Sequence, residues 1–173
     1  SPLAMDDHGR TLSYFLKYGF SIHACVLRPK SRGSVSLQSA DPLADPDINL
    51  NMLSHQDDAN LLIKAVRRVR KIMQAPALEE YNGVEIQPGI EVQEHEELDN
   101  FIRTKANHVY HPVGTCKMGS DPMAVVNDQL QVHGLTGLRV VDVSIMPTVV
   151  SGNTNAPTIM IGEKASDMIL NSS

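Results

Sequence analysis

Two stretches of the chain repeat apolar residues at the spacing of one face of an α-helix. The first follows Ser54 and Asp57, whose spacing predicts a capping-box-like helix start. Its apolar stripe consists of Leu62, Val66, Val69 and Met73. The second stretch opens with three glutamates, which suit the positive end of a helix. Its predicted buried face consists of Leu98, Phe101 and Ile102.

Shorter stretches alternate apolar and polar residues, which is the period of a β-strand. Residues 20–27 and 34–38 alternate in this way on either side of a turn, so they are predicted to form an antiparallel pair. Residues 48–52 and 84–87 predict two further short strands, the first of them after a linker at 41–46 whose prolines prevent regular pairing. The predicted fold class is therefore α+β, an antiparallel sheet with flanking helices.

The remaining patterns predict one longer helix and several short elements. Residues 11–18 and 76–81 predict short helical segments, whereas residues 125–128 and 131–134 predict two extended pieces around a turn. Residues 157–169 predict the longer helix. The core side of that helix is predicted to consist of Ile161, Ala165 and Met168.

The composition excludes several functional classes. A chain of 173 residues is long enough to form a domain with a core, and its formal net charge of -5 argues against a nucleic-acid partner. No apolar run approaches the ~20 residues that a transmembrane helix needs. Cys25 and Cys116 are too few for a disulfide scaffold and are predicted to be free thiols. Free thiols and the lack of a signal-peptide pattern at the start of the sequence favour a cytoplasmic location. Peripheral association with the inner membrane is kept as an alternative.

A polar loop at residues 110–119 contains the first candidate catalytic residue, His111. Pro112 restricts the backbone of His111 to extended geometry, and Gly114 and Gly119 permit tight backbone paths beside it. A histidine presented in this way can exchange a proton near neutral pH. Taken alone, the pattern is more typical of a structural histidine in a glycine-rich turn.

A second polar cluster, residues 151–158, runs directly into the predicted C-terminal helix. Asn155 is predicted to cap this helix, and Pro157 suits its first turn. The helix start would then present free N–H groups and a partial positive charge. Such a site suits an anion, or an oxygen atom that gains negative charge during a reaction.

Three sequence blocks resemble, in the same order, the C-terminal part of the glucose–methanol–choline (GMC) oxidoreductases, which depend on FAD. The blocks are HPVGTCKMG at 111–119, GLRVVD at 137–142 and GNTNAPTIM at 152–160. The likeness is strongest to the choline-dehydrogenase-like alcohol dehydrogenases. Thr154 and Pro157 depart from the Gly-Asn-Leu-Asn-Ala-Thr-Thr block that is common in choline dehydrogenases proper, which favours alcohols other than choline. A choline dehydrogenase proper is kept as an alternative.

The resemblance implies roles for individual residues. It makes His111 the base that takes the hydroxyl proton of an alcohol while a hydride goes to flavin N5. Asn153 matches the position at which relatives place a second His or an Asn, which would orient the substrate oxygen. The resemblance further implies contacts with FAD from Asp142, the backbone of Val143, Asn155, Pro157 and Thr158.

The resemblance also predicts the domain organisation. Residues 20–109 resemble the substrate domain, residues 110–173 the catalytic loop and the segment that completes the FAD domain, and residues 1–19 stay unassigned. No Gly-x-Gly-x-x-Gly fingerprint is present, so we expect a longer parent enzyme whose N-terminal portion supplies the pyrophosphate site. The expected partners are that portion and a small-molecule alcohol. The isolated chain is expected to retain no FAD and to be inactive.

Two rival classes compete with this interpretation. A non-enzymatic binding module would use His111 and Asn153 structurally. A metal-dependent hydrolase is suggested by the seven histidines, but none of them is spaced like a set of metal ligands, so no metal site is predicted. His108 competes with His111 for the catalytic role, and the sequence blocks favour His111. His133 precedes a glycine and is predicted to be a turn residue.

Overall fold

The computed structural model describes residues 19–171, which form two compact units. One unit contains residues 19–26 and 53–107, and the other contains residues 27–52 and 108–171. The helical segment predicted at 11–18 lies outside the described residues. These units group residues 27–52 with the C-terminal part of the chain, whereas the sequence resemblance groups them within 20–109. The assignment of 20–109 and 110–173 to two domains of a longer enzyme stays a prediction.

The first unit is built on two helices, α1 (Gln56–Met73) and α2 (His95–Lys105), with a short 3-10 helix (Pro76–Tyr81) after α1. The helices pack against each other through Ile63, Leu98 and Ile102, none of which is more than 4% exposed. Phe101 packs against this cluster from α2. The apolar periodicity therefore predicted both helices and the buried face of α2 correctly.

The two helix starts are capped differently. The predicted Ser54–Asp57 capping pattern is wrong, because the N-cap of α1 is His55, whose Nδ1 accepts the backbone N–H of Asp57 at 3.3 Å. In α2, Glu94 and Glu97 form a capping box in which the carboxylate of Glu97 accepts the N–H of Glu94 at 3.2 Å. These acidic residues also stabilise the positive end of α2, as the sequence predicted.

The segment between α1 and α2 is fixed by Arg70. Its guanidinium donates to the carboxylate of Glu85 at 2.8 Å and to the backbone oxygens of Gly89 and Val92, also at 2.8 Å. The Arg70 side chain is only 10% exposed, so the ion pair is largely removed from water. The strand predicted at 84–87 is wrong: Val84 is 89% exposed, and a side-chain clamp takes the place of strand pairing.

The second unit contains a small antiparallel sheet of β1 (Ser34–Ser36) and β2 (Asp47–Asn49), with Val35 opposite Ile48. The predicted pairing of 34–38 with 20–27 is wrong, because residues 20–27 form no strand. The partner comes instead from the third predicted strand. Gly33 permits the close approach, since a Cβ there would collide with the backbone oxygen of Asn49.

The core of the second unit joins the C-terminal helix α3 (Asn155–Leu170) to the loops before it and to a short 3-10 helix, Val143–Ile145. Its buried members are Val126, Leu130, Ile145, Met146, Ile161 and Ala165. Met168 packs against this cluster, so the predicted core side of α3 is confirmed. Val126 and Val132 form an antiparallel bridge, which confirms the two extended pieces around a turn.

Sheet and helices together give the predicted α+β class. Both cysteines are free thiols, as predicted, with Cys25 exposed and Cys116 partly buried. Among the helices of residues 19–171, none combines the length and the apolar composition needed to cross a membrane.

Candidate active site

The imidazole of His111 is contacted at both ring nitrogens by residues that directly precede α3. Its Nδ1 lies 2.8 Å from Oγ1 of Thr154. Its Nε2 lies 3.4 Å from Nδ2 of Asn153. The fold thus brings together the two predicted catalytic residues, which are 42 positions apart in the chain.

The hydrogen-bond partners decide which ring nitrogen carries the proton. The backbone N–H of Asn155 donates to Oδ1 of Asn153 at 3.0 Å. Because a backbone N–H can only donate, this contact fixes the orientation of the amide, and Nδ2 of Asn153 faces His111 as a donor. A neutral imidazole then keeps its lone pair on Nε2 and its proton on Nδ1, where Oγ1 of Thr154 accepts it.

Thr154 is the member of this group that the sequence reasoning missed. It served there only as a departure from the choline dehydrogenase block, although its place between Asn153 and Asn155 puts a hydroxyl beside a candidate catalytic amide. The residue is 8% exposed, and its carbonyl accepts the backbone N–H and the hydroxyl of Thr158 at 3.0 and 2.6 Å. Thr154 is also the N-cap of α3, so the predicted cap at Asn155 is wrong by one position.

The loop that carries His111 is fixed by backbone hydrogen bonds to the residues around the 3-10 helix. The N–H of Cys116 donates to the oxygen of Ser144 at 3.0 Å, and that of Met118 donates to the oxygen of Ile145 at 2.7 Å. Gly114 has a φ of 93°, and a Cβ there would lie 3.2 Å from the oxygen of Met146. The predicted tight backbone path at Gly114 is therefore confirmed.

Two further histidines, His108 and His133, contact residues at the two ends of this loop. Nδ1 of His108 accepts the backbone N–H of Tyr110 at 3.1 Å, and the two rings meet edge to face with centroids 4.6 Å apart. Nε2 of His133 lies 3.0 Å from the backbone oxygen of Gly119. His133 lies in a turn, as the sequence predicted. That His108 is not the catalytic base stays a prediction.

Asp142 and Val143, two of the predicted FAD contacts, lie at the start of the 3-10 helix. Asp142 is its N-cap, and Oδ1 accepts the N–H of Ser144 at 2.7 Å. Within residues 19–171, the backbone N–H of Val143 makes no hydrogen bond, so it is a donor that a ligand could use.

The other three predicted FAD contacts, Asn155, Pro157 and Thr158, lie in the first turn of α3. The N–H groups of Asn155 and Thr158 donate to Asn153 and Thr154, and proline has no N–H. Among the described residues this leaves Ala156 with the free N–H of the turn, at the positive end of the helix.

Comparison with known proteins identifies the family. Residues 29–162 match the family model of the GMC oxidoreductase C-terminal domain. The chain belongs to the GMC oxidoreductase family. It is 52% identical over 168 residues to an oxygen-dependent choline dehydrogenase of Escherichia coli, and 54% identical over 168 residues to that of Klebsiella pneumoniae. Each match covers 97% of this chain and 30% of the relative.

Solved structures of the family agree with this assignment. A new fungal aryl-alcohol oxidase is 36% identical, with a TM-score of 0.78 over 84% of this chain and 24% of that chain. Pyridoxine 4-oxidase from Mesorbium loti is 33% identical, with a TM-score of 0.77 over 82% of this chain and 28% of that chain. The predicted resemblance is confirmed, and the chain spans about 30% of the length of the curated relatives it matches.

Proposed function

We propose that this chain is the catalytic and substrate-binding C-terminal portion of an FAD-dependent oxidoreductase that oxidises an alcohol. The observation that carries the proposal is the position of His111 between a donor, Asn153, and an acceptor, Thr154. That pairing leaves the lone pair of the imidazole on Nε2. Relatives named as a choline dehydrogenase and an aryl-alcohol oxidase support an alcohol as the substrate class.

In the proposed reaction, Nε2 of His111 accepts the hydroxyl proton of the alcohol. The substrate hydroxyl takes the place of the Asn153 amide at Nε2, because this ring nitrogen has one lone pair, and the N–H groups of Nδ2 can then donate to the substrate oxygen. Asn153 does not titrate, so it orients the alcohol and leaves proton transfer to His111. FAD, when bound, supplies the acceptor for the hydride from the alcohol carbon. The alcohol thereby loses one proton and one hydride and becomes a carbonyl compound.

The residues at the start of α3 and of the 3-10 helix fit the flavin. The free N–H groups of Ala156 and Val143 are donors without partners among the described residues. The positive end of α3 favours a ring system that gains negative charge. Asn155, Pro157 and Thr158 would line the flavin from α3. Asp142 would lie beside Val143, with one carboxylate oxygen already engaged by the N–H of Ser144.

Choline is a specific candidate substrate. Identities of 52% and 54% to two choline dehydrogenases favour it over the other alcohols that Thr154 and Pro157 led us to expect. The ratio of kcat/KM for choline to that for benzyl alcohol separates the two possibilities in the complete enzyme. A ratio above one supports choline, and a ratio below one supports the expectation drawn from the sequence.

The proposal is tested by replacing the base in the complete flavoenzyme that carries this chain. His111→Ala should lower turnover by roughly 10²–10⁴-fold, which is the usual contribution of a general base. Flavin content should stay unchanged, because the substitution removes a proton acceptor and no proposed flavin contact. His108→Ala is the matched control and should keep turnover near that of the wild type. If the chain is instead a non-enzymatic binding module, neither His111→Ala nor His108→Ala should change the turnover of the complete protein.

A further inference from the structure

We infer that Thr154 is a positioning residue for His111: its Oγ1 accepts the proton of Nδ1 and so fixes both the tautomer and the plane of the imidazole. The inference rests on the proposed function, because it concerns the base of that reaction. The contact that motivates it is the 2.8 Å distance between Oγ1 of Thr154 and Nδ1 of His111.

The anchoring of Thr154 makes it suited to this role. Its side chain is β-branched and therefore restricted at χ1, and the residue is 8% exposed. Its carbonyl is tied into the first turn of α3 by two hydrogen bonds from Thr158, at 3.0 Å from the N–H and 2.6 Å from the hydroxyl. The orientation of the imidazole is therefore set by a helix start, in addition to the loop that carries it.

The two partners of His111 act differently during proton transfer. In the absence of substrate, the amide of Asn153 donates to Nε2 and Thr154 accepts from Nδ1. The substrate hydroxyl replaces the amide as the donor to Nε2 before transfer, and the bond from Nδ1 to Thr154 is retained. After transfer the imidazolium carries a proton on each nitrogen, so the bond from Nδ1 to Thr154 becomes charge-assisted and strengthens. An interaction that strengthens along the reaction lowers the barrier, so its loss should reduce kcat more than it changes KM.

The test uses the complete holoenzyme and follows flavin reduction under anaerobic conditions, normalised to flavin content. Thr154→Val removes the acceptor with little change in shape and should lower the limiting rate roughly 10-fold, the effect of losing one hydrogen bond to a charged group. The apparent Kd for the alcohol, from the dependence of that rate on alcohol concentration, should change by no more than about twofold. Thr154→Ser keeps the hydroxyl and should restore most of the rate. Thr136→Val, at an exposed bend, makes the same substitution outside the proposed site and should behave like the wild type.

A double-mutant cycle with His111→Ala separates positioning from general structural damage. Thr154→Val should have no further effect in the His111→Ala background, because the group it positions is gone. The same fractional loss in both backgrounds, or a failure of Thr154→Ser to restore the rate, would overturn the inference. So would a wild-type rate in Thr154→Val. If Thr154→Val loses flavin, Thr154→Ala replaces it with the same expected outcomes.

The cycle also distinguishes this inference from the proposed function. If His111→Ala reduces flavin as fast as the wild type, the proposed function fails and the inference fails with it. If His111→Ala is slow while Thr154→Val is unaffected, only the role of Thr154 is rejected.

Discussion

The two units of the chain are stabilised in different ways. In the unit of α1 and α2, regular helices with apolar stripes pack through Ile63, Leu98 and Ile102. In the unit that carries His111, the sheet has only two three-residue strands, and loop residues such as Val126 and Leu130 supply much of the core. The proposed catalytic group belongs entirely to this second, irregular unit.

The difference shows what the proposed site requires of the backbone. The partners of Nε2 and Nδ1 of His111 are 42 and 43 positions away in the chain, so no single helix or strand could provide them. The loop is therefore held by bonds between distant backbone groups, such as Cys116 to Ser144. Binding and catalytic residues commonly lie on such loops when a rigid element fixes them, and here α3 is that element.

The largest expected effect concerns the cofactor. The irregular unit offers free N–H donors at Val143 and Ala156, but the chain has no Gly-x-Gly-x-x-Gly fingerprint for a pyrophosphate. We therefore expect the purified 173-residue chain to hold no FAD and to be inactive. The absorbance of a flavin near roughly 450 nm is the measurement. Stoichiometric flavin in this chain would mean that the irregular unit binds FAD unaided.

A smaller effect is expected from a pair of glycine substitutions, one in each unit. Gly114→Ala should destabilise the His111 loop by about 1–3 kcal/mol, because φ is 93° and the new Cβ would lie 3.2 Å from the oxygen of Met146. Gly83→Ala is the matched control in the helical unit, where a Cβ would have no atom within 4 Å. Urea unfolding of both variants gives the comparison. Equal effects at the two positions would remove the contrast between the units.

The smallest expected effect is the pH dependence of two carboxylates, again one in each unit. A hydrogen bond from Arg103 lowers the pKa of Asp99, and hydrogen bonds from Lys117 and then from the N–H of Met123 lower the pKa of Asp121. A carboxyl with a lowered pKa stabilises the folded state above its unfolded value of about 3.9, and loses that contribution as pH falls through the folded pKa.

Asp99→Asn and Asp121→Asn should therefore each reduce the stability difference between neutral and acid pH. The free energy of unfolding at pH near 7 and near 3 is the measurement. The effect should be small, because both carboxylates are near the surface and their ion pairs are screened. A variant whose acid sensitivity equals that of the wild type would show that its ion pair contributes nothing.

The helices were predictable from the sequence because their signal is local. The stripe from Leu62 to Met73 and the glutamates before Leu98 identify α1 and α2 without knowledge of any partner. Strand pairing was not predictable, since the alternation in residues 20–27 does not specify a partner. The partner of β1 is Asp47–Asn49, and the close approach depends on Gly33.

The proposed site was predictable as a set of residues but not as an arrangement. Sequence blocks identified His111 and Asn153, which lie 3.4 Å apart between Nε2 and Nδ2. They gave no sign that Thr154 would contact Nδ1, because that contact depends on where the loop and the helix start meet in space. Likewise, the clamp of Arg70 on Glu85 replaced a predicted strand with a contact between side chains.

The most direct test of the central claim is chemical rescue of the complete His111→Ala enzyme by free imidazole. If His111 acts as a proton acceptor, added imidazole should restore part of the flavin-reduction rate, in proportion to the concentration of its neutral form. Asn153→Ala retains the base, so imidazole should not accelerate it. No rescue in a His111→Ala enzyme that keeps its flavin, or equal acceleration of both variants, would contradict the assignment of His111 as the base.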